Sequence, residues 1–82
     1  MLDERTRELI AIGASITANC QPCLAYHTAK AQELGASGED MLAAVDVGRQ
    51  VRCGAAAKMD RHSARTVAGQ EVAEPPPGCD CK

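Results

Sequence analysis

Cys20-Gln21-Pro22-Cys23-Leu24-Ala25-Tyr26-His27 is the stretch that decides how the chain reads: two thiols flank a Gln-Pro pair, and an imidazole follows. Proline is favoured at the first helical position, where its missing N–H has no helical partner to lose. A helix opening at Pro22 places Cys23 and His27 four residues apart, on one face and within reach of each other. Cys20 then falls at or just before the helix N-terminus, where free backbone N–H groups and the helix dipole favour a thiolate. One thiol is activated by a helix end and the other by an imidazole, and the spacing allows the two to close a disulfide. The residues point to redox chemistry. Other readings of a C-x-x-C pair are half of a zinc site, a structural disulfide, or two buried thiols packed as small hydrophobes. No second C-x-x-C and no paired histidines follow at finger spacing.

Upstream, the stretch from Asp3 to Ala18 reads as a first helix. Leu9, Ile12 and Ile16 recur at spacings of three and four, with Leu2 a heptad earlier, and together they form an apolar stripe. Gly13 weakens the interior of this helix but permits a close helix crossing. Glu8 stands at the edge of the stripe. Spacing alone makes it a solvated carboxylate paired with Arg5, whereas a desolvated carboxylate there would be placed to accept or pass a proton. Asn19 to Pro22 break the pattern, and the second helix runs from about Pro22 to Leu34 with Gly35 as its cap. Tyr26 is expected to pack rather than react. Lys30 is expected either to pair with Glu33 or to lie near the thiols.

Downstream, Ser37 to Asp40 reads as a turn and N-cap, with Glu39 and Asp40 well placed in the first turn of a third helix. Met41, Leu42, Val45, Val47, Gly48 and Val51 give that helix a broad apolar face through about Arg52. Cys53-Gly54 reads as a bend, so a fourth helix is expected over Ala55 to Ala68, with Lys58, Asp60, Arg61 and Arg65 on its solvated side. Cys53 has no partner at useful spacing and reads as inert core. His62 reads as a surface histidine, and Gly69 ends the regular structure. In the remainder, Pro75-Pro76-Pro77-Gly78 reads as extended chain carrying Cys79-Asp80-Cys81 to the surface. Those two thiols are candidates for a redox relay or for soft-metal ligation.

The expected architecture is all-α: one small single-domain bundle of about four helices over residues 1–69, then a flexible proline-rich tail over 70–82. One Tyr, no Phe and no Trp among 82 residues make for a thin core. Self-association is the expected source of further stability, as an even-numbered homo-oligomer, a dimer or a trimer of dimers. A net charge of −2 with acids and bases interspersed does not describe a nucleic-acid or anionic-membrane binder. Met1 leads straight into Asp3-Glu4-Arg5, so neither a signal peptide nor a spanning segment is expected, and the reading is cytoplasmic. Five cysteines is an odd count, and four of them sit as two tight pairs, which in a reducing compartment react or bind metal rather than staple a secreted fold.

Glu8, Cys20, Cys23 and His27 together spell E-x11-C-x-x-C-x3-H, which resembles the alkylhydroperoxidase D branch of the carboxymuconolactone decarboxylase family. The flanks agree: Arg7-Glu8-Leu9-Ile10-Ala11-Ile12 before the thiols, Cys23 through Ala31 along the second helix, and Gly35-Ala36 before an acidic helix start. The likeness covers about Leu2 to Ala68. It implies an all-helical fold and a cofactor-free dithiol enzyme that reduces peroxides or exchanges disulfides. By this resemblance Cys20 and Cys23 form the redox pair, His27 activates or orients a thiol, and Glu8 completes the proton relay. The solvated reading of Glu8 gives way on that ground.

The resemblance also makes Cys23 the thiol that attacks peroxide and Cys20 the one that resolves the sulfenic acid. Helix-end logic instead favours Cys20 as the more acidic thiol, so the order of attack stays open. The implied partners are a peroxide or disulfide substrate and a thiol electron donor of the lipoamide or thioredoxin type, without nucleic acid or membrane. Two departures stand out. The chain is half as long as members carrying two copies of the helical unit, and the Cys79-Asp80-Cys81 tail lies outside the pattern. Lactone decarboxylation is not expected, because the decarboxylase members lack the dithiol. The competing classes are a metal-binding or metal-delivery protein using Cys79 and Cys81, and a non-catalytic oligomeric helical module.

Overall fold

In a computed structural model, which describes residues 1–69, three helices follow one another: α1 (Glu4–Thr17), α2 (Gln21–Glu33) and α3 (Gly38–Ala68). Each boundary has a local cause. Asp3 caps α1 in an extended conformation, its carboxylate accepting the Thr6 N–H at 2.7 Å. That backbone hydrogen bond is the main reason its carboxyl lies below the ordinary carboxylate range.

Helix α1 ends where Asn19 turns left-handed at φ 56°, a conformation asparagine tolerates better than most residues. The Asn19 N–H then donates to the Ile16 carbonyl at 3.1 Å and the Cys20 N–H to the Ser15 carbonyl at 3.0 Å, the nested bonds of a Schellman stop. Cys20 is also the N-cap of α2, its Sγ accepting the Cys23 N–H at 3.3 Å. One residue therefore closes the first helix and opens the second. The far end of α2 repeats the device with Gly35 at φ 84°, as its position after Leu34 leads one to expect. Ser37 then caps α3 by accepting the Asp40 N–H at 3.0 Å.

The expected break at Cys53-Gly54 does not occur, and the third and fourth helices are one. A lone glycine costs about 1 kcal/mol against alanine in a helix interior. Stopping and restarting would cost more here, since the residues directly after Gly54 are alanines, with no proline to force a break and no Ser, Thr, Asp or Asn to cap a new helix. Ala55, Ala56 and Ala57, the best helix formers, carry α3 on to Gly69, whose left-handed φ of 67° ends it. At 31 residues, α3 is about 46 Å long.

Helix α1 is the centre of the packing and lies against both of the others. Ile12 and Ala31 are fully buried, and Ser15 and Cys53 are nearly so. Ser15 tolerates burial because its hydroxyl donates to the Ala11 carbonyl at 2.7 Å. The α1–α3 crossing is made by Gly13, the glycine read as permitting a close approach, and by Gly48 opposite it. A Cβ at Gly48 would collide with the Gly13 carbonyl oxygen and stand 2.9 Å from the Ile16 Cβ. The Thr17 hydroxyl seals the crossing, 3.0 Å from the Gly48 carbonyl oxygen and 3.2 Å from that of Gly13.

The apolar face of α3 is only partly covered. Gly48 is buried, whereas Leu42 and Val47 are 71% and 59% exposed. Ile10, Val47 and Val51 line an open groove of about 630 Å³ between α1 and α3. Cys53 is buried as expected, but its sulfur is bonded rather than free, which corrects the reading of a cysteine without a partner. Among the described residues, no helix is long and apolar enough to cross a membrane. The expected tail over 70–82, including Cys79 and Cys81, lies outside the described residues.

Candidate redox site

The α1–α2 pair brings the four sequence-selected residues onto two adjoining helices. Glu8 projects from α1 to His27 on α2, with its Oε1 2.6 Å from the imidazole Nδ1. Both side chains are only partly exposed, 20% for Glu8 and 29% for His27, so the contact is sheltered from water. Glu8 thus faces the imidazole, and the expectation that it pairs with Arg5 fails. An ionised Glu8 holds the imidazole hydrogen on Nδ1, which leaves Nε2 as the basic nitrogen. Tyr26 adds an edge-on ring contact to His27, with centroids 5.0 Å apart, and so braces the imidazole from the same helix. Tyr26 itself is 60% exposed.

Cys20 and Cys23 are joined by a disulfide, with their Cα atoms 5.2 Å apart. Cys20 is half-buried in the turn between α1 and α2, and Cys23 is exposed on the first turn of α2. His27 follows Cys23 by one helical turn on the same face. Glu8 also lines a shallow cavity with Arg7 and Lys30. Lys30 lies 4.0 Å from Glu33, the partner its spacing offers.

Two contributors escape a reading of the motif alone. Asn19 supplies the left-handed turn that presents Cys20, and Arg52 of α3 reaches over the same turn. Arg52 Nη1 donates to the Asn19 Oδ1 at 2.9 Å and to the Ile16 carbonyl at 3.2 Å. The available signal was its place one helical turn after Gly48, on the stripe that crosses α1. Among the described residues, no cluster of three or more His, Cys, Asp or Glu side chains is placed to hold a metal ion. Cys79 and Cys81, read as relay thiols or soft-metal ligands, fall outside those residues.

The model of the carboxymuconolactone decarboxylase family matches residues 1–65. The chain belongs to that family. The matched span holds Glu8, Cys20, Cys23, His27 and Arg52. Among curated proteins, the chain is similar to "Uncharacterized protein 4 in cox locus" of Paracoccus denitrificans, at 36% identity over 55 residues. That alignment covers 67% of this chain and 50% of the relative, so the match spans about half the relative's length. No solved structure matches.

Proposed function

We propose that the protein is a cofactor-free dithiol peroxidase of the alkylhydroperoxidase D type, which also exchanges disulfides with its electron donor. The observation that carries this reading is the Glu8–His27 contact, made by an imidazole one helical turn after the Cys20–Cys23 disulfide on α2. In the reduced protein, His27 Nε2 takes the proton of Cys23, and Glu8 holds the imidazolium that forms. The Cys23 thiolate attacks the terminal oxygen of a hydroperoxide. An S–O bond forms, the O–O bond breaks, and the departing alkoxide takes the imidazolium proton to leave as alcohol. Cys20 then attacks the Cys23 sulfenic acid, closing the disulfide and releasing water. Two donor thiols reopen it and are themselves joined as a disulfide.

Such a cycle belongs to a reducing compartment, the cytoplasm, with a donor of the lipoamide or thioredoxin type. The test is peroxide consumption by the reduced protein with each donor class supplied separately. Cys20→Ser and Cys23→Ser should each abolish turnover while helix content stays unchanged. Turnover kept in both single variants would remove the dithiol mechanism.

A further inference from the structure

We propose that Arg52, with the pocket it shares with Cys20, selects small thiol donors that carry a carboxylate. This rests on the dithiol reading above and adds the chemical class of the reductant. The pocket measures about 200 Å³ and opens between the end of α1, the start of α2 and the middle of α3. Ile16 and Leu24 give it an apolar side, Asn19 and Arg52 a polar one, and Cys20 borders it while Cys23 does not. At about 30 Å³ per water, the space corresponds to six or seven waters, the size of a short aliphatic molecule.

Arg52 is half-buried, yet its described hydrogen-bond partners are both neutral: the Ile16 carbonyl and the Asn19 side-chain oxygen. Both bonds come from Nη1. No carboxylate among the described residues pairs with it, since the ion pairs there are Glu8–His27 and Lys30–Glu33. The guanidinium is a planar fork of five donors, suited to a carboxylate that accepts two parallel bonds. Here Nε and Nη2 are not engaged by any described acceptor. A partly sheltered cation without a counter-ion among the described residues, beside a pocket bordered by a redox sulfur, is placed to hold the anionic end of a molecule whose other end reaches that sulfur.

The step follows from the pocket's geometry. A donor held through its carboxylate brings its thiolate to Cys20 Sγ. A new S–S bond forms there, the Cys20–Cys23 bond breaks, and the electron pair leaves on Cys23 as a thiolate one turn from His27. A second donor thiolate attacks the donor sulfur of the mixed disulfide and releases Cys20. Two thiols are oxidised to one disulfide and the protein pair is reduced. Cys23 is freed in the first exchange.

Arg52 bonded to the Ile16 carbonyl could equally act only as a lid on the end of α1, and the experiment separates the two roles. The oxidised protein is reduced by 3-mercaptopropionate, 2-mercaptoethanol and cysteamine, with rates compared per thiolate. Wild type should favour the carboxylate thiol. Arg52→Gln should lower the 3-mercaptopropionate rate relative to 2-mercaptoethanol by about two- to fivefold, the scale of a partly exposed charge pair. A purely structural role would change both thiols alike. As a measurement that needs no variant, 3-hydroxypropionate titrated into isotope-labelled wild type should shift the Arg52 Nε–H resonance, while 1-propanol should not. An unchanged rate ratio in folded Arg52→Gln, or no shift at Arg52 in wild type, overturns the proposal. Both readouts are independent of peroxide. Peroxide turnover with a flat ratio therefore sinks only the donor pocket, and an altered ratio without peroxide turnover sinks only the peroxidase.

Discussion

Gly48→Ala is the sharpest test of how this small molecule is held together. The added methyl meets backbone, the Gly13 carbonyl, rather than the yielding end of a side chain. It also stands 3.0 Å from the Gly13 carbonyl carbon and 2.9 Å from the Ile16 Cβ, so no rotamer change relieves it. The helices must part. Overpacking of this kind costs about 1–3 kcal/mol. Parting also stretches the 3.0 Å contact from the Thr17 hydroxyl to the Gly48 carbonyl, a loss of about 1 kcal/mol. Against these, alanine regains about 1 kcal/mol of helix propensity. The net is a destabilisation of about 2 kcal/mol, which in a domain of this size lowers Tm by roughly 10 °C. Gly54→Ala is the matched control: it lies in the same helix with no atom of the described residues within 4 Å of the added carbon. It should gain up to about 1 kcal/mol and raise Tm by several degrees. Thermal unfolding followed by circular dichroism, at one protein concentration, reads both. A Gly48→Ala protein as stable as wild type, or a Gly54→Ala protein destabilised to the same degree, would refute the reasoning.

Within the proposed relay, His27→Ala and Glu8→Gln should each slow the reaction with peroxide by about 10²–10⁴-fold and move the thiol titration to higher pH. Stopped-flow peroxide consumption and thiol alkylation against pH measure the two effects, and no change in either would make the 2.6 Å contact structural only. The open groove of Ile10, Val47 and Val51 should be covered by a second copy of this chain, which spans only about half the length of its curated relative. Light scattering should then show an even-numbered homo-oligomer that Val47→Glu dissociates, whereas a wild-type monomer at micromolar concentration would defeat that assembly.

Much of the fold is written in single residues. Asp3, Ser37 and Gly69 mark helix ends in the sequence and do so in the structure, because each supplies a bond or a backbone angle that few other residues supply. Gly54 misleads for the complementary reason: glycine permits a break but does not compel one, and the alanines after it favour continuing. The doubled role of Cys20 is less legible. It depends on Asn19 adopting a left-handed angle that asparagine tolerates without advertising. The Glu8–His27 contact lies further from view. Helical spacing says which face each residue is on, but the register between α1 and α2 is fixed by the turn joining them. Resemblance to a family, rather than periodicity, selected Glu8.

Arg52 is hardest to see, and the reason ties the fold to the site. Its distance from Cys20 along the chain carries no signal. Its nearness in space follows from the α1–α3 crossing, where two glycines let the backbones approach until Arg52, one turn beyond, reaches the turn at Asn19. The two packings of α1 therefore hold different parts of the proposed chemistry. Contact with α2 sets the imidazole, the carboxylate and the exposed thiol, the groups that would meet peroxide. Contact with α3 sets the guanidinium on the pocket that the half-buried Cys20 borders, the side from which a reductant would enter. A dithiol enzyme has to accept an oxidant and a reductant in turn at one pair of sulfurs. Here the two helices packed on α1 give each sulfur its own neighbours, so under the proposed cycle the two substrates would not compete for the same binding groups.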